Sequence, residues 1–310
     1  SALSANTTGT KNTSVGRGSL QVSTTGSNLT ALGANALNQN TTGASNTAVG
    51  ADALLNNTTA SSNVAVGYEA LKANTTGATN TAVGTNCLDA NTTGYSNTAI
   101  GYASLGANTT GVQNIAIGYR CLTTQTGANN NVAVGYDVLY SNTTGTLNTG
   151  LGLNVLDANT TGSNNVAMGY AALGACTTGG NNTAIGYAVL DAVTTGSSNT
   201  VVGHNAASAW TGSNITAMGY HALLNCTTGG QNTAYGDNAL QGCVTGQDNV
   251  AVGTNALYSM TGSYCVAVGR YANMLATGSS NTSVGYNAGY HTTTGTNNSN
   301  FGHGATTSSA

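Results

Sequence analysis

The stretch that decides the fold is NTAIGYASLGANTTGVQ, which occupies residues 97–113. Residues 80–96 (NTAVGTNCLDANTTGYS) and 182–198 (NTAIGYAVLDAVTTGSS) repeat it with few changes. Each unit is numbered from 1 to 17, starting at the residue that is Asn in most units. One glycine then falls at position 5 of all 18 units. Successive position-5 glycines are 17 residues apart in fourteen intervals and 16 residues apart in three. These glycines are Gly16, Gly33, Gly50, Gly67, Gly84, Gly101, Gly118, Gly135, Gly152, Gly169, Gly186, Gly203, Gly219, Gly236, Gly253, Gly269, Gly285 and Gly302. A repeat this regular has to be interpreted before any single residue.

So short a unit cannot hold a pair of helices, and Gly at two positions with Asn, Thr and Ser throughout opposes any helix. The Val, Ile and Thr residues before each glycine favour strand, whereas Asn-Thr-Thr-Gly favours a turn. The sequence therefore predicts an all-β, parallel β-solenoid of about 18 coils, with strands at positions 1–4 and 7–11 of each coil. Corners are predicted at the position-5 glycine and at Asn-Thr-Thr-Gly, where positive φ is needed. Coils spaced by about 4.8 Å would form a rod about 86 Å long. Residues 1–310 are predicted to be a single continuous array without capping segments.

Composition limits the function. The chain has 5 Lys and Arg and 8 Asp and Glu, so that 4% of its residues are charged, against about 25% in a typical globular protein. Five scattered basic residues cannot neutralise a nucleic-acid backbone or dock the chain on a membrane. No apolar run approaches the roughly 20 residues of a spanning helix. The composition predicts a structural or binding protein without a cofactor, not an enzyme.

Substitutions between units indicate which positions face inward. Position 9 is almost always Leu and position 3 almost always Ala, which predicts core positions. Position 4 varies among apolar residues and is predicted to be core or a buried contact between chains. Position 12 exchanges Asn for Cys, Val, Trp and Met, which predicts an inward ladder of amides that bond from coil to coil. The ladder consists of Asn40, Asn57, Asn74, Asn91, Asn108, Asn142 and Asn159.

Asn-Thr-Thr also matches the N-glycosylation sequon, but an inward Asn at a turn explains the motif without a glycan. Position 14 supplies a rank of threonines, one per coil, of the kind found in ice-binding solenoids. Position 14 lies at a corner, whereas a flat face requires Thr at i and i+2 of a strand. The rank consists of Thr42, Thr59, Thr76, Thr93, Thr110, Thr144, Thr161, Thr178 and Thr195.

Position 6 is Tyr in eight units, so these side chains should stack along the solenoid. The rank fits a surface for a carbohydrate or another chain, since Tyr is favoured at interfaces; it equally fits a stabilising ladder. Its members are Tyr68, Tyr102, Tyr119, Tyr136, Tyr170, Tyr187, Tyr220 and Tyr286.

The cysteines are interpreted as small core residues. Cys226 and Cys243 share position 12 in adjacent coils, within the Cα separation of a disulfide, although side chains stacked in register point the same way and disfavour the bond. The four histidines do not converge on one coil, and no Asp-rich calcium-binding repeat occurs. The sequence therefore predicts neither a metal site nor a catalytic site.

The unit Asn-Thr-Ala-Val-Gly-Tyr-x-Ala-Leu resembles the head repeats of trimeric autotransporter adhesins of the YadA type and similar repeats in phage tail fibres. The likeness is clearest at Asn46–Ala53, Asn63–Ala70, Asn97–Ser104, Asn131–Val138 and Asn182–Val189. It implies a left-handed parallel β-roll, three copies side by side, and an extracellular fibre. This unit is longer than the family's, because of the Asn-Thr-Thr-Gly corner.

These observations predict an extracellular, self-associating fibre protein: an adhesin head, a tail fibre or a filament subunit, at a cell surface or on a virion. Its predicted partner is itself, as a lateral trimer or a head-to-tail filament, with a host-surface or matrix carbohydrate as a further candidate. Ser1 and Ala310 both fall inside a coil without a polar cap, which predicts ends that meet another copy or continue a longer fibre. The alternative hypothesis is ice binding through the Thr rank.

Overall fold

The computed structural model describes residues 2–306, which form β-strands and turns but no helix. The chain divides into two compact units, the first comprising residues up to Asn154 with Ala158–Thr161, the second Val155–Asp157 with the residues from Gly162 on. Each unit is a parallel β-solenoid with nine strands, so the predicted all-β repeat fold is confirmed. One continuous array over residues 1–310 stays a prediction. Ser1 and Ala310, where open ends are predicted, lie outside the described residues.

Each coil contributes one short strand. In the first unit the strands are β1 (Thr13–Val15), β2 (Thr30–Leu32), β3 (Thr47–Val49), β4 (Val64–Val66), β5 (Thr81–Val83), β6 (Thr98–Ile100), β7 (Ile115–Tyr119), β8 (Val132–Tyr136) and β9 (Thr149–Leu153). In the second unit they are β10 (Val166–Tyr170), β11 (Thr183–Tyr187), β12 (Thr200–His204), β13 (Thr216–Met218), β14 (Thr233–Tyr235), β15 (Val250–Val252), β16 (Val266–Val268), β17 (Thr282–Val284) and β18 (Ser299–Phe301).

Equal repeat positions lie side by side in neighbouring strands. In the first unit Ala48 pairs with Ala65 and Val49 with Val66, all in parallel register. The same register holds in the second unit where a coil is one residue shorter, since Thr200 pairs with Thr216. The missing residue is therefore absorbed in the turns. Any side-chain type that recurs at one position consequently forms a continuous ladder within its unit.

The predicted second strand at positions 7–11 is wrong, because those residues form turns. Positions 7 and 9 have left-handed backbone: φ is 55° at Asn35 and 50° at Leu37. The Leu37 amide donates to Ala53 of the next coil (3.0 Å), whereas Asn38 donates back to Asn35 within its own coil (3.2 Å). A left-handed residue reverses the local direction of the chain, so a pleated strand cannot persist.

Leucine at a left-handed position is unusual. Left-handed backbone costs an L-residue roughly 1–2 kcal/mol, whereas burying a Leu side chain contributes about 1.5–3 kcal/mol. Leu54, Leu71 and Leu88 are fully buried with φ between 50° and 54°. Burial thus offsets the backbone strain and places the position-9 leucines in the core, as the sequence predicts.

Position 5 requires glycine for a reason other than a corner. Its φ values are near +130°, for example 129° at Gly118 and 139° at Gly135, a region that L side chains rarely adopt. A Cβ at Gly118 would also overlap the carbonyl oxygen of Gly135. In β7 to β12 the strand continues through this glycine to position 6, so in those coils the corner predicted at position 5 is wrong.

Candidate functional site

The outward side of the strands presents side chains from positions 2, 4 and 6, here called the strand face. In β8, Ala133 at position 3 is fully buried, whereas Tyr136 at position 6 is 47% exposed. Because successive residues of a strand point to opposite sides, positions 2 and 4 lie on the same side as position 6. The prediction that position 4 is core is therefore wrong. Its alternative, a contact between chains, stays a prediction.

The strand face carries few charges, and its position-4 column is apolar, whereas position 2 is most often Thr. Position 4 is apolar in every described coil, and positions 2 and 4 carry no charged residue. The exposed members of position 4 are Val15, Leu32, Ile100, Leu151, Met218, Tyr235, Val252, Val268, Val284 and Phe301. Charged residues occur only at position 6, as Arg17, Asp237 and Arg270. An exposed apolar column such as the one at position 4 marks an interaction site in soluble proteins.

The position-6 tyrosines are all exposed, between 40% and 51%. Tyr102, Tyr119 and Tyr136 stack in the first unit with centroids 5.4 and 5.0 Å apart. In the second unit His204 continues the stack of Tyr170 and Tyr187 and leads to Tyr220. Interior rings of a stack are covered on both faces by their neighbours. A partner can therefore contact the edges and hydroxyl groups of these rings, but not their faces.

Two ion pairs lie beside the strand face. Arg120 donates to Asp137 in the next coil, from Nε to Oδ1 at 2.9 Å, and lies 5.1 Å from the ring centroid of Tyr119. The hydrogen bond to Asp137 raises the pKa of the Arg120 guanidinium. Lys72 likewise pairs with Glu69 at 2.7 Å. Each pair neutralises its own two charges and so adds no net charge next to the strand face.

The position-12 asparagines all lie in the interior, and none of the seven is exposed. Asn57 Nδ2 donates to Asn40 Oδ1 at 2.8 Å and to the carbonyl of Ala60 at 3.0 Å. Asn74 repeats this pattern toward Asn57 at 2.9 Å. The sequon amides are thus engaged in hydrogen bonds inside the fold, where no glycan can be accommodated.

Gln125 interrupts this ladder. Its Nε2 donates to Ala128 (2.9 Å) and its Oε1 accepts from Asn142 (3.3 Å), but it does not reach Asn108, whose buried Oδ1 has no hydrogen-bond partner. The sequence pattern placed Asn108 in the ladder but gave no sign of this gap.

Replacing Gln125 with Asn is expected to raise the free energy of unfolding by about 1 kcal/mol. The Nδ2 of an asparagine at this position can donate to Asn108 Oδ1, which then has a hydrogen-bond partner. Urea unfolding followed by circular dichroism measures the change. Gln125→Leu is the contrast: it removes the Oε1 acceptor of Asn131 and Asn142 and one of the two donors to the Ala128 carbonyl, and should destabilise by a similar amount. Equal midpoints for Gln125→Asn and wild type would contradict this account.

A second asparagine ladder lies at position 1, which the sequence pattern predicts to be part of a strand. Asn63 accepts the backbone N–H of Asn80 on Oδ1 at 2.9 Å and donates from Nδ2 to Gly77 at 3.0 Å. Both asparagines are fully buried. The available signal was that Asn occupies position 1 in 15 of the 18 units, far more often than a strand residue would require.

The two threonines of the Asn-Thr-Thr corner have different roles. At position 13 the hydroxyl of Thr58 donates to the Thr75 carbonyl in the next coil at 3.1 Å, and Thr75 does the same toward Thr92 at 3.0 Å. All nine position-14 threonines of the predicted rank are exposed. Position 13 therefore ties coils together, whereas position 14 faces solvent as a single column at a bend.

The ionisable core residues do not assemble into a metal site. All six cysteines are buried free thiols, and no group of three or more His, Cys, Asp or Glu that could hold a metal occurs within residues 2–306. The rings of His204 and His221, in adjacent coils, have centroids 6.0 Å apart. Burial raises the pKa of Asp89 and of Asp191.

Comparison with protein-family models and with curated proteins finds no match for this chain. Residues 2–306 contain no helix able to cross a membrane. The geometry of the strand face is therefore the main guide to function.

Proposed function

We propose that this chain is a structural subunit of an extracellular fibre, such as an adhesin head, a tail fibre or a filament, and that its copies associate laterally through the strand face. The observation that carries the proposal is the exposure of apolar and aromatic side chains along that face, including Ile100 (37%), Leu151 (42%) and Tyr102 (48%). Its resemblance to adhesin head repeats supports the extracellular location.

The repetition of the strand face fits a second copy. In the first unit its exposed apolar and aromatic side chains recur from Val15 to Leu153, and an extended patch of this kind marks an interaction site rather than the scattered apolar residues of an ordinary monomer surface. A chain with 13 charged residues in 310 also has little like-charge repulsion to oppose association. The proposed role is mechanical, because the chain has few ionisable side chains that could act in catalysis.

The test is the oligomeric state of the full chain and of two double variants. Ile100→Lys with Ile115→Lys places two charges on the strand face, at residues that are 37% and 39% exposed. Thr76→Lys with Thr93→Lys adds the same charge to exposed residues of the Thr rank. Sedimentation velocity and electron microscopy at low micromolar concentration should show oligomers or fibres for wild type and the Thr variant, and monomers for the Ile variant. A monomeric wild type, or equal behaviour of both variants, would overturn the proposal.

Ice binding is the alternative proposal, supported by the exposure of all nine threonines in the rank. The same variants separate it from self-association. If the Thr rank binds ice, wild type and the Ile variant should inhibit ice recrystallisation, whereas Thr76→Lys with Thr93→Lys should lose this activity. Absence of inhibition by wild type would remove the alternative.

A further inference from the structure

Among the six buried thiols, Cys226 and Cys243 occupy the same repeat position in adjacent coils of the second unit. Hydrogen bonds fix the register on both sides of them: Asn225 donates to Gln241 at 3.2 Å, and Thr227 donates to Val244 at 2.9 Å. Adjacent strands with this pairing lie about 4.8 Å apart, inside the Cα separation of about 4.4–6.8 Å found in disulfides.

Both thiols point toward the turn carbonyl of their own coil: Cys226 Sγ lies 3.8 Å from the Gly229 oxygen and Cys243 Sγ lies 3.4 Å from the Gly246 oxygen. The two thiols are therefore neighbours in one column of side chains. The interaction between them lowers the pKa of Cys243 and raises that of Cys226. None of the other four cysteines has a cysteine at its own position in an adjacent coil.

We propose that Cys226 and Cys243 form an oxidation site, at which a peroxide closes a disulfide between two adjacent coils. The Cys243 thiolate attacks one peroxide oxygen, giving a sulfenic acid and hydroxide. The Cys226 sulfur then attacks the sulfenic sulfur, the S–S bond forms, and the hydroxyl leaves as water with the Cys226 proton. Two thiols and one hydrogen peroxide thus give one disulfide and two waters.

Local opening of the coil admits the oxidant, since both thiols are fully buried and hydrogen peroxide is scarcely larger than water. The resulting bond would close the loop from Cys226 to Cys243, one full repeat in length. It would add a covalent link between neighbouring coils that hydrogen bonds and side-chain packing now hold together. A disulfide constrains the unfolded chain, so the oxidised protein should unfold at higher urea than the reduced one. This inference is independent of self-association.

The experiment oxidises the full reduced chain with dilute hydrogen peroxide, then counts thiols with Ellman's reagent after denaturation. The count should fall from the six thiols of the reduced chain to four. Peptide mapping should find Cys226 linked to Cys243. Cys176→Ser, at the same repeat position, should still lose two thiols and should still show a urea midpoint that rises on oxidation.

Cys243→Ser should form no link and show no rise in urea midpoint on oxidation. If it destabilises the fold, Cys243→Val serves instead, since Val193 already occupies the same repeat position in another coil. The proposal is overturned if all six thiols survive oxidation in urea just below the unfolding transition. It is equally overturned if oxidation stops at sulfinic acid, or if cysteines other than this pair become linked.

Discussion

Gly118→Ala is expected to destabilise the first unit by about 3 kcal/mol or more, because it combines an unfavourable backbone conformation with a steric overlap. Gly118 has φ of 129°, which alanine rarely adopts, and its new Cβ would overlap the carbonyl oxygen of Gly135 in the next coil. That carbonyl is backbone inside a hydrogen-bonded ladder, so it cannot move without breaking the strand pairing of β7 with β8. The urea midpoint measured by circular dichroism reports the loss.

The matched control is Gly106→Ala, one coil earlier. Gly106 lacks a positive φ, and its nearest neighbours would be the Ala103 carbonyl oxygen at 3.3 Å and Asp89 Oδ1 at 3.5 Å from the new Cβ. Those separations are close to ordinary contact, so the change should stay within about 0.5 kcal/mol. Similar losses for Gly118→Ala and Gly106→Ala would show that glycine at position 5 is required by neither its φ nor the approach of the next coil.

The sequence predicts what depends on repetition. The regular period requires equal positions to stack, so it correctly gives the parallel solenoid, the buried leucines and the small inward residue at position 3. Asn at position 12 points to an interior amide because it exchanges with Trp210 and Val193, and both of those side chains are fully buried.

The failures have a common physical cause: backbone conformations that propensity does not favour. Leucine prefers right-handed or extended backbone, so nothing in the composition of positions 7–11 suggests the left-handed φ of Leu37. Once the chain turns there, the single remaining strand sends position 3 inward and position 4 outward. The apolar residues of position 4, such as Ile100, are exposed as a result. The apolar character that suggested a core is what makes the strand face a candidate interface.

The position-1 ladder shows a different limit. Asn at position 1 is as frequent as any core residue, yet a strand interpretation hides the fact that Asn97 donates its backbone N–H to the side chain of Asn80 (3.0 Å). Only the stacking of one coil on the next shows that the Asn80 side chain, rather than a backbone carbonyl, accepts the hydrogen bond of the Asn97 N–H. Such a role is accessible to a charge test, because a carboxylate can accept this hydrogen bond but cannot donate the other one.

Asn80→Asp is expected to destabilise the first unit by about 3–5 kcal/mol at pH 7, because a buried carboxylate would face the Gly94 carbonyl without a proton to share. In the wild type, Asn80 Nδ2 donates to that carbonyl at 2.9 Å, and the side chain is fully buried. Burial and the lost donor should raise the pKa of the introduced carboxyl above its unfolded value of about 3.9. Below about pH 4 the protonated acid can donate to Gly94, so the variant should approach wild-type stability there and lose it as pH rises through the raised pKa.

The wild-type protein should show little change of unfolding free energy with pH, because the whole chain holds only 8 Asp and Glu residues. The pH dependence of the Asn80→Asp variant can therefore be assigned to the introduced carboxyl. Urea unfolding from pH 4 to pH 8 should give diverging midpoints for Asn80→Asp and wild type. Asn56→Asp, in an exposed turn of the same unit, adds the same charge without burying it and should track wild type within about 0.5 kcal/mol. Parallel pH profiles for Asn80→Asp and Asn56→Asp would mean that the position-1 amide donates nothing essential. The coils would then be held by backbone pairing and leucine burial alone.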